Sequence, residues 1–218
     1  MRFSTVPSGL IATLILGIVS GFDRPADAES PVVSIETNRG TIVAELDAEN
    51  SPVTVENFLQ YARDGFYDDT VFHRVIPAFM IQGGGRDANL KKKPTRAAIK
   101  NEAANGLKND PYTLAMARTG DPDSATSQFF INTNANDNLN RPSPDGHGYA
   151  VFGKVIEGTE VVDAIEQVET GKHPDPDFPG LMMSDVPTEI IKIESVTILS
   201  GDPKEPSDAP ETIDAVQD

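Results

Sequence analysis

Arg74 has the neighbourhood most suggestive of chemistry in this chain. It lies in Phe72-His73-Arg74, and Phe79-Met80-Ile81-Gln82-Gly83-Gly84 follows closely. A permanent cation, large apolar side chains and an amide thus fall within about ten residues. Side chains two apart on a strand share a face, which predicts Phe72 with Arg74, His73 with Val75, and Met80 with Gln82. An arginine keeps its charge and its fixed fork of donors, and is costly to place beside apolar groups without a use. On composition alone two readings stay open. Arg74 forms a structural salt bridge, with Phe79, Met80, Phe129, Phe130 and Leu139 as core, or the set is a site.

Other chemistries find no support. His73, His147 and His173 lack metal-ligand spacing. Asp121-Pro122-Asp123 has neither the glycine nor the terminal glutamate of a calcium loop. Gly83-Gly84-Gly85 is not followed by Lys-Ser/Thr, so it reads as a bend with close backbone packing, not a phosphate loop. Ser127 and His147 come without a Gly-x-Ser-x-Gly elbow. No metal and no cofactor is therefore expected.

Composition narrows the class. The 218 residues carry a formal charge of -16, which argues against nucleic acid as a partner and for solubility. With no cysteine, a disulfide framework is excluded. Arg2, the apolar run Leu10–Val19 and the small-x-small triplet Ala26-Asp27-Ala28 read as a signal peptide over residues 1–28, cleaved near Ala28. The apolar run is well short of the ~20 residues that span a bilayer, so no integral membrane domain is expected. Export, most simply to a periplasm, follows. From Gly201 to Asp218 six acidic residues face Lys204 alone, and this stretch reads as an acidic disordered tail. One domain, residues 29–200, remains.

The elements that would hold Arg74 are short. Val33, Ile35 and Thr37 alternate with polar residues, as do those of Thr41–Leu46, and Asn38-Arg39-Gly40 turns between them. Ser51-Pro52 opens a helix carrying Val55, Phe58, Leu59 and Ala62 on one face, closed by Gly65. Strands follow at Thr70–Val75, Phe79–Gln82, Tyr112–Ala117, Gln128–Asn132, Tyr149–Val155 and Ile190–Leu199, with a second helix at Thr159–Val168. Arg86–Pro111, Thr133–Gly148 and Thr170–Pro187 read as loops. In the last strand Ile191 and Ile193 fall out of phase with Val196 and Ile198, which predicts a bulge near Glu194-Ser195. About eight strands and two helices without a βαβ rhythm indicate a mostly antiparallel sheet closed into a barrel, with the helices packed on it.

Against this reading, four ordered blocks resemble the cyclophilin family of peptidyl-prolyl isomerases: Phe72–Gly84, Leu114–Ala117, Ser127–Ile131 and Tyr149–Val155. The likeness runs from about Val33 to Leu199. It implies a closed eight-stranded antiparallel barrel capped by two α-helices and, with it, isomerisation of X-Pro bonds without a cofactor. It implies Arg74 as the catalytic arginine and Gln82 and Gln128 as substrate-holding amides. Phe79, Met80, Phe130 and Leu139 would wall a proline pocket, with Ala117 and Arg118 on the edge where the peptide lies. Tyr149 stands where the commonest eukaryotic pattern has histidine, Asn138 where many members carry an aromatic residue, and Arg118 where an asparagine is usual. The partners implied are proline-containing peptides and unfolded or partly folded exported proteins, met by a monomer. The alternative is a holdase that uses the same groove without turnover.

Overall fold

The computed structural model describes residues 29–204. The strands are β1 Val32–Thr37, β2 Gly40–Leu46, β3 Thr70–Val71, β4 Arg74–Ile76, β5 Met80–Gly83, β6 Thr113–Met116, β7 Phe129–Asn132, β8 Val151–Glu157, β9 Thr170–Pro174, β10 Met182–Pro187 and β11 Lys192–Ser200. The helices are α1 Pro52–Arg63 and α2 Thr159–Glu166, with a 3-10 turn at Asp137–Leu139. The signal-peptide reading of residues 1–28, and the tail beyond Lys204, lie outside the described residues.

Nine strands form one antiparallel sheet in the order β3-β11-β1-β2-β8-β6-β7-β5-β4. Its two ends, β3 and β4, are neighbours in sequence, separated only by Phe72-His73. The Phe72 N–H donates to the Ile191 carbonyl at 2.8 Å, and the His73 N–H to the Gln82 carbonyl at 3.0 Å. Thr70–Ile76 therefore acts as one bent strand that pairs on both sides, and the sheet curls round on itself. Counted that way there are eight strands, so the expected barrel is met approximately, with its seam at the bend. The bend also overturns one expectation. Phe72 does not share a face with Arg74; it is buried in the main core with Val75, and Arg74 points out of it. Alternation requires continuous extended backbone, and Phe72-His73 interrupts it.

The registers set two rows of side chains. Val75, Ile81, Ile131 and Leu114 lie opposite one another across β4, β5, β7 and β6, all fully buried in the interior. The alternate row is Arg74, Gln82, Phe130 and Ala115, on the other face of the same four strands. Inside, Phe58 of α1 packs on Tyr67 and Phe152 at ring separations of 5.0 and 5.3 Å, and edge-on to Phe129 at 5.4 Å. Helix α1 covers β11, and α2 covers β2 and the β4–β5 pair.

The bulge in the last strand is present. Glu36 pairs with Ser195 and Thr37 with Ile193, so Glu194 is the extra residue. Ile191, Ile193 and Val196 thereby all reach the core. Three other readings are corrected. Ser51 occupies the N-cap of α1, but its hydroxyl donates to the Val151 carbonyl at 2.7 Å and caps nothing. The Glu102 carboxylate, in the long polar loop, accepts from the Val53 and Thr54 N–H groups at 3.1 and 2.8 Å instead. Thr170–Pro187 is not a plain loop: β9 and β10 form a separate two-stranded hairpin that packs against β4. Most of β9 is exposed and β10 fully buries Val186 alone, so no apolar alternation marked them. Finally, the segment after Ser200 is held for its first residues, because Asp202 takes a double hydrogen bond from Arg63 of α1.

Candidate active site

Arg74, Phe79, Met80, Gln82, Ala117, Arg118, Phe130, Leu139 and Tyr149 line one cavity of about 110 Å³ on the outer face of the sheet. That is well below the roughly 300 Å³ at which drug-sized pockets begin, so it accommodates a single small group. Two larger hollows, of about 390 and 540 Å³, contain no arginine in their lining. The tenth expected residue, Gln128, lies outside the cavity lining but is tied to it. Gln82 Nε2 donates to Gln128 Oε1 at 2.9 Å, and Arg74 Nη1 donates to Gln82 Oε1 at 3.5 Å. A guanidinium and two amides thus form a directional chain along the wall.

Each link has a local cause. Arg74 and Gln82 are direct partners across β4 and β5, and Gln82 is in turn opposite Phe130. Gln128 can lie against the strand because residue 85 is glycine: a Cβ there would sit 2.2 Å from Gln128 Cγ. The close packing read from Gly83-Gly84-Gly85 is thus present, with Gln128 as the partner the sequence did not name.

The apolar floor is Met80, Phe130 and Leu139, all buried, with Phe79 partly buried beside them. Phe79 is set by the β4–β5 turn. Ala78 takes a positive φ of 56° there, and its N–H donates to the Glu166 carboxylate at the end of α2 at 2.7 Å. Leu139 is carried by the 3-10 turn, which hangs on a buried asparagine network. Asn136 Nδ2 donates to the Phe79 carbonyl and to Asn132 Oδ1, both at 2.7 Å. Asn132 Nδ2 donates to Thr113 Oγ1 at 2.9 Å, and Asn109 Nδ2 to Asn140 Oδ1 at 3.0 Å. The sequence showed only that this stretch is rich in Asn. Asn138 itself is exposed and outside the cavity lining.

The remaining wall is Tyr149 and Arg118. Tyr149 meets Phe130 edge-on with centroids 5.9 Å apart, and the Arg118 guanidinium stacks 4.3 Å above the Tyr149 ring. Arg118 is fully engaged: it donates to the Gly148 carbonyl at 2.9 and 3.0 Å, to the Thr119 carbonyl at 3.0 Å, and pairs with Asp145. The Ser143 hydroxyl, the His147 N–H and Arg118 hold the Asp145 carboxyl far below its usual range. Arg118 is therefore spent on shaping the wall, whereas Arg74 keeps a side chain that is 41 % exposed, with only loose contacts to the protein.

Directly behind Arg74 is His73, 5 % exposed, whose Nδ1 has no hydrogen-bond partner among the described residues. Burial, reinforced by the charge of Arg86, pushes its pKa down to about 4. It is a neutral buried ring and not an acid or base of the cavity.

Arranged this way, the cavity can grip a small apolar ring and present guanidinium N–H groups at its rim. Comparison with known proteins agrees with that chemistry. Residues 32–198 match the family described as cyclophilin type peptidyl-prolyl cis-trans isomerase/CLD. The chain is 54% identical over 169 residues to peptidyl-prolyl cis-trans isomerase cyp18 of Streptomyces antibioticus, covering 77% of this chain and 98% of that one. It is 52% identical over 169 residues to peptidyl-prolyl cis-trans isomerase B of Escherichia coli (strain K12), covering 77% and 99%. A crystal structure of a Cryptosporidium parvum cyclophilin type isomerase in the presence of the dipeptide Ala-Pro superposes with a TM-score of 0.62 at 29% identity, covering 78% of this chain and 99% of that one.

Proposed function

The chain belongs to the cyclophilin-type peptidyl-prolyl cis-trans isomerase family, and on that premise we propose that the cavity at Arg74 is where it turns X-Pro bonds and that its substrates are exported polypeptides. The observation that carries the proposal is the convergence of a loosely held arginine and an apolar hole one small ring wide.

The chemistry follows from the bond. Amide resonance sets a barrier of roughly 18–20 kcal/mol, and uncatalysed X-Pro exchange takes tens to hundreds of seconds. In the twisted transition state the nitrogen lone pair is localised and becomes a hydrogen-bond acceptor. Arg74 would donate to it, and since neither planar form accepts there, this interaction lowers the barrier and not merely the ground state. Met80, Phe130 and Leu139 would hold the proline ring while Gln82 and Gln128 hold the chain on its other side. Arg74, anchored only by two long contacts, retains donors for this purpose, which favours turnover over simple holding.

Export rests on the sequence of residues 1–28, with their basic start, short apolar run and Ala26-Asp27-Ala28. Among the described residues no helix is long and apolar enough to cross a membrane. Two measurements test the proposal. A proline-isomerisation assay on the purified protein should accelerate exchange of an Ala-Pro peptide, and no acceleration would refute the enzymatic reading. Mass spectrometry of the protein from its own cells should give an N-terminus at or near Glu29, and a stable species retaining Met1 would refute export by cleavage.

A further inference from the structure

We infer that Asp185, on the β9–β10 hairpin, is a positioning residue that aims Arg74; the inference rests on the isomerase reading above. The carboxylate Oδ2 of Asp185 lies 3.8 Å from Arg74 Nε. On the other side, Nη1 of the same guanidinium reaches Gln82 Oε1 at 3.5 Å. The fork is thus bracketed from two edges, and the donors that neither partner uses are left for a substrate.

The backbone around Asp185 is arranged for this. Met183 pairs with His173 and Val186 with Gly171, so two residues of β10, Ser184 and Asp185, stand opposite Lys172 alone. This is a bulge, a device that re-aims a side chain. Asp185 takes φ of 60°, the left-handed region that aspartate and asparagine tolerate better than most residues. The hairpin that carries the bulge is fixed at both ends. Val186 and Met183 pack with Val71 and Leu90. At its tip Arg86 pairs with Asp175 at 3.2 Å and with Asp177 at 2.9 Å. Asp185 is therefore carried on a braced arm and not on a free loop.

Both side chains of the Arg74–Asp185 pair are about 40 % exposed, at 41 % and 40 %. Exposed pairs of this kind add little to stability. A strained residue delivering a weak ion pair to the one loosely held arginine of the cavity makes sense as orientation of that arginine.

The test is turnover of an Ala-Pro peptide by Asp185→Asn in two backgrounds. Asparagine keeps the left-handed backbone and removes the charge. In otherwise wild-type protein we expect kcat to fall ~3–5-fold with KM and melting temperature unchanged, the scale of one exposed ion pair. Asp185→Gly, which relieves the positive φ, should show the same loss. In an Arg74→Ala background Asp185→Asn should change nothing further, because its only route to the reaction is gone. Raising the salt to 1 M should bring wild type down towards Asp185→Asn. Turnover of Asp185→Asn equal to wild type, or an equal loss with and without Arg74, would overturn the inference. A wild-type protein that accelerates nothing would instead remove the isomerase reading on which it rests.

Discussion

At the scale of single residues, what could be read was type and order, and what could not be read was direction. Arg74, Gln82, Phe130 and the rest of the cavity lining were all named from the family resemblance, and the structure brings nine of those ten residues into one cavity. The strand periodicity placed Met80 with Gln82 correctly, because β5 is uninterrupted. It misplaced Phe72, because a two-residue bend lies between β3 and β4. The residues that were missed, Asn136, Glu166 and Asp185, act through a hydrogen bond or an ion pair to Phe79, Ala78 and Arg74, between 57 and 111 positions away, and no local pattern encodes such a partner. His73 supplies a test at this scale. Its folded pKa of about 4 is depressed from 6.5. Between those values the unfolded chain takes up a proton that the folded one refuses, so stability falls as pH falls through the window. Going from pH 7 to pH 5 should cost about 2 kcal/mol from this group. Urea unfolding at the two pH values should show that loss, and His73→Gln should remove most of it. An unchanged slope in His73→Gln would place the dependence elsewhere.

At the scale of elements, the rule that apolar periodicity reports buried faces worked wherever a face is buried and failed where none is. Helix α1 was visible from Val55, Phe58, Leu59 and Ala62, and all four are buried. The Glu194 bulge was visible because Ile193 and Val196 both had to reach the core. The β9–β10 hairpin was invisible because Val186 is its one buried strand residue, so no apolar alternation repeats along it. The cap of α1 was half visible: the position of Ser51 was right, and the group that satisfies the helix N–H groups comes from Glu102, about fifty residues on. Glu102→Ala should therefore lower stability by about 1–2 kcal/mol, the usual worth of an N-terminal cap. In a denaturant titration the midpoint should fall with the slope unchanged. An unmoved midpoint would mean that water replaces the carboxylate at no cost.

At the scale of the whole molecule, the sheet closes by using Thr70–Ile76 twice, once on β11 and once on β5. That closure fills the interior with side chains and leaves the reactive row on the outside, where a polypeptide of any length can reach it. The full chain carries a net charge of -16, which favours solubility. Catalysis rests on Arg74 supplying the donor that the twisted bond accepts, and the direct measurement is kcat/KM for an Ala-Pro peptide in wild type, Arg74→Ala and Arg74→Lys. Arg74→Ala should lose roughly 10²–10³, the scale for removing one transition-state donor, while its circular dichroism and melting temperature stay close to wild type. Arg74→Lys should recover only part, because an ammonium has no fork to offer. A folded Arg74→Ala protein that turns over substrate at near wild-type rate would contradict the account.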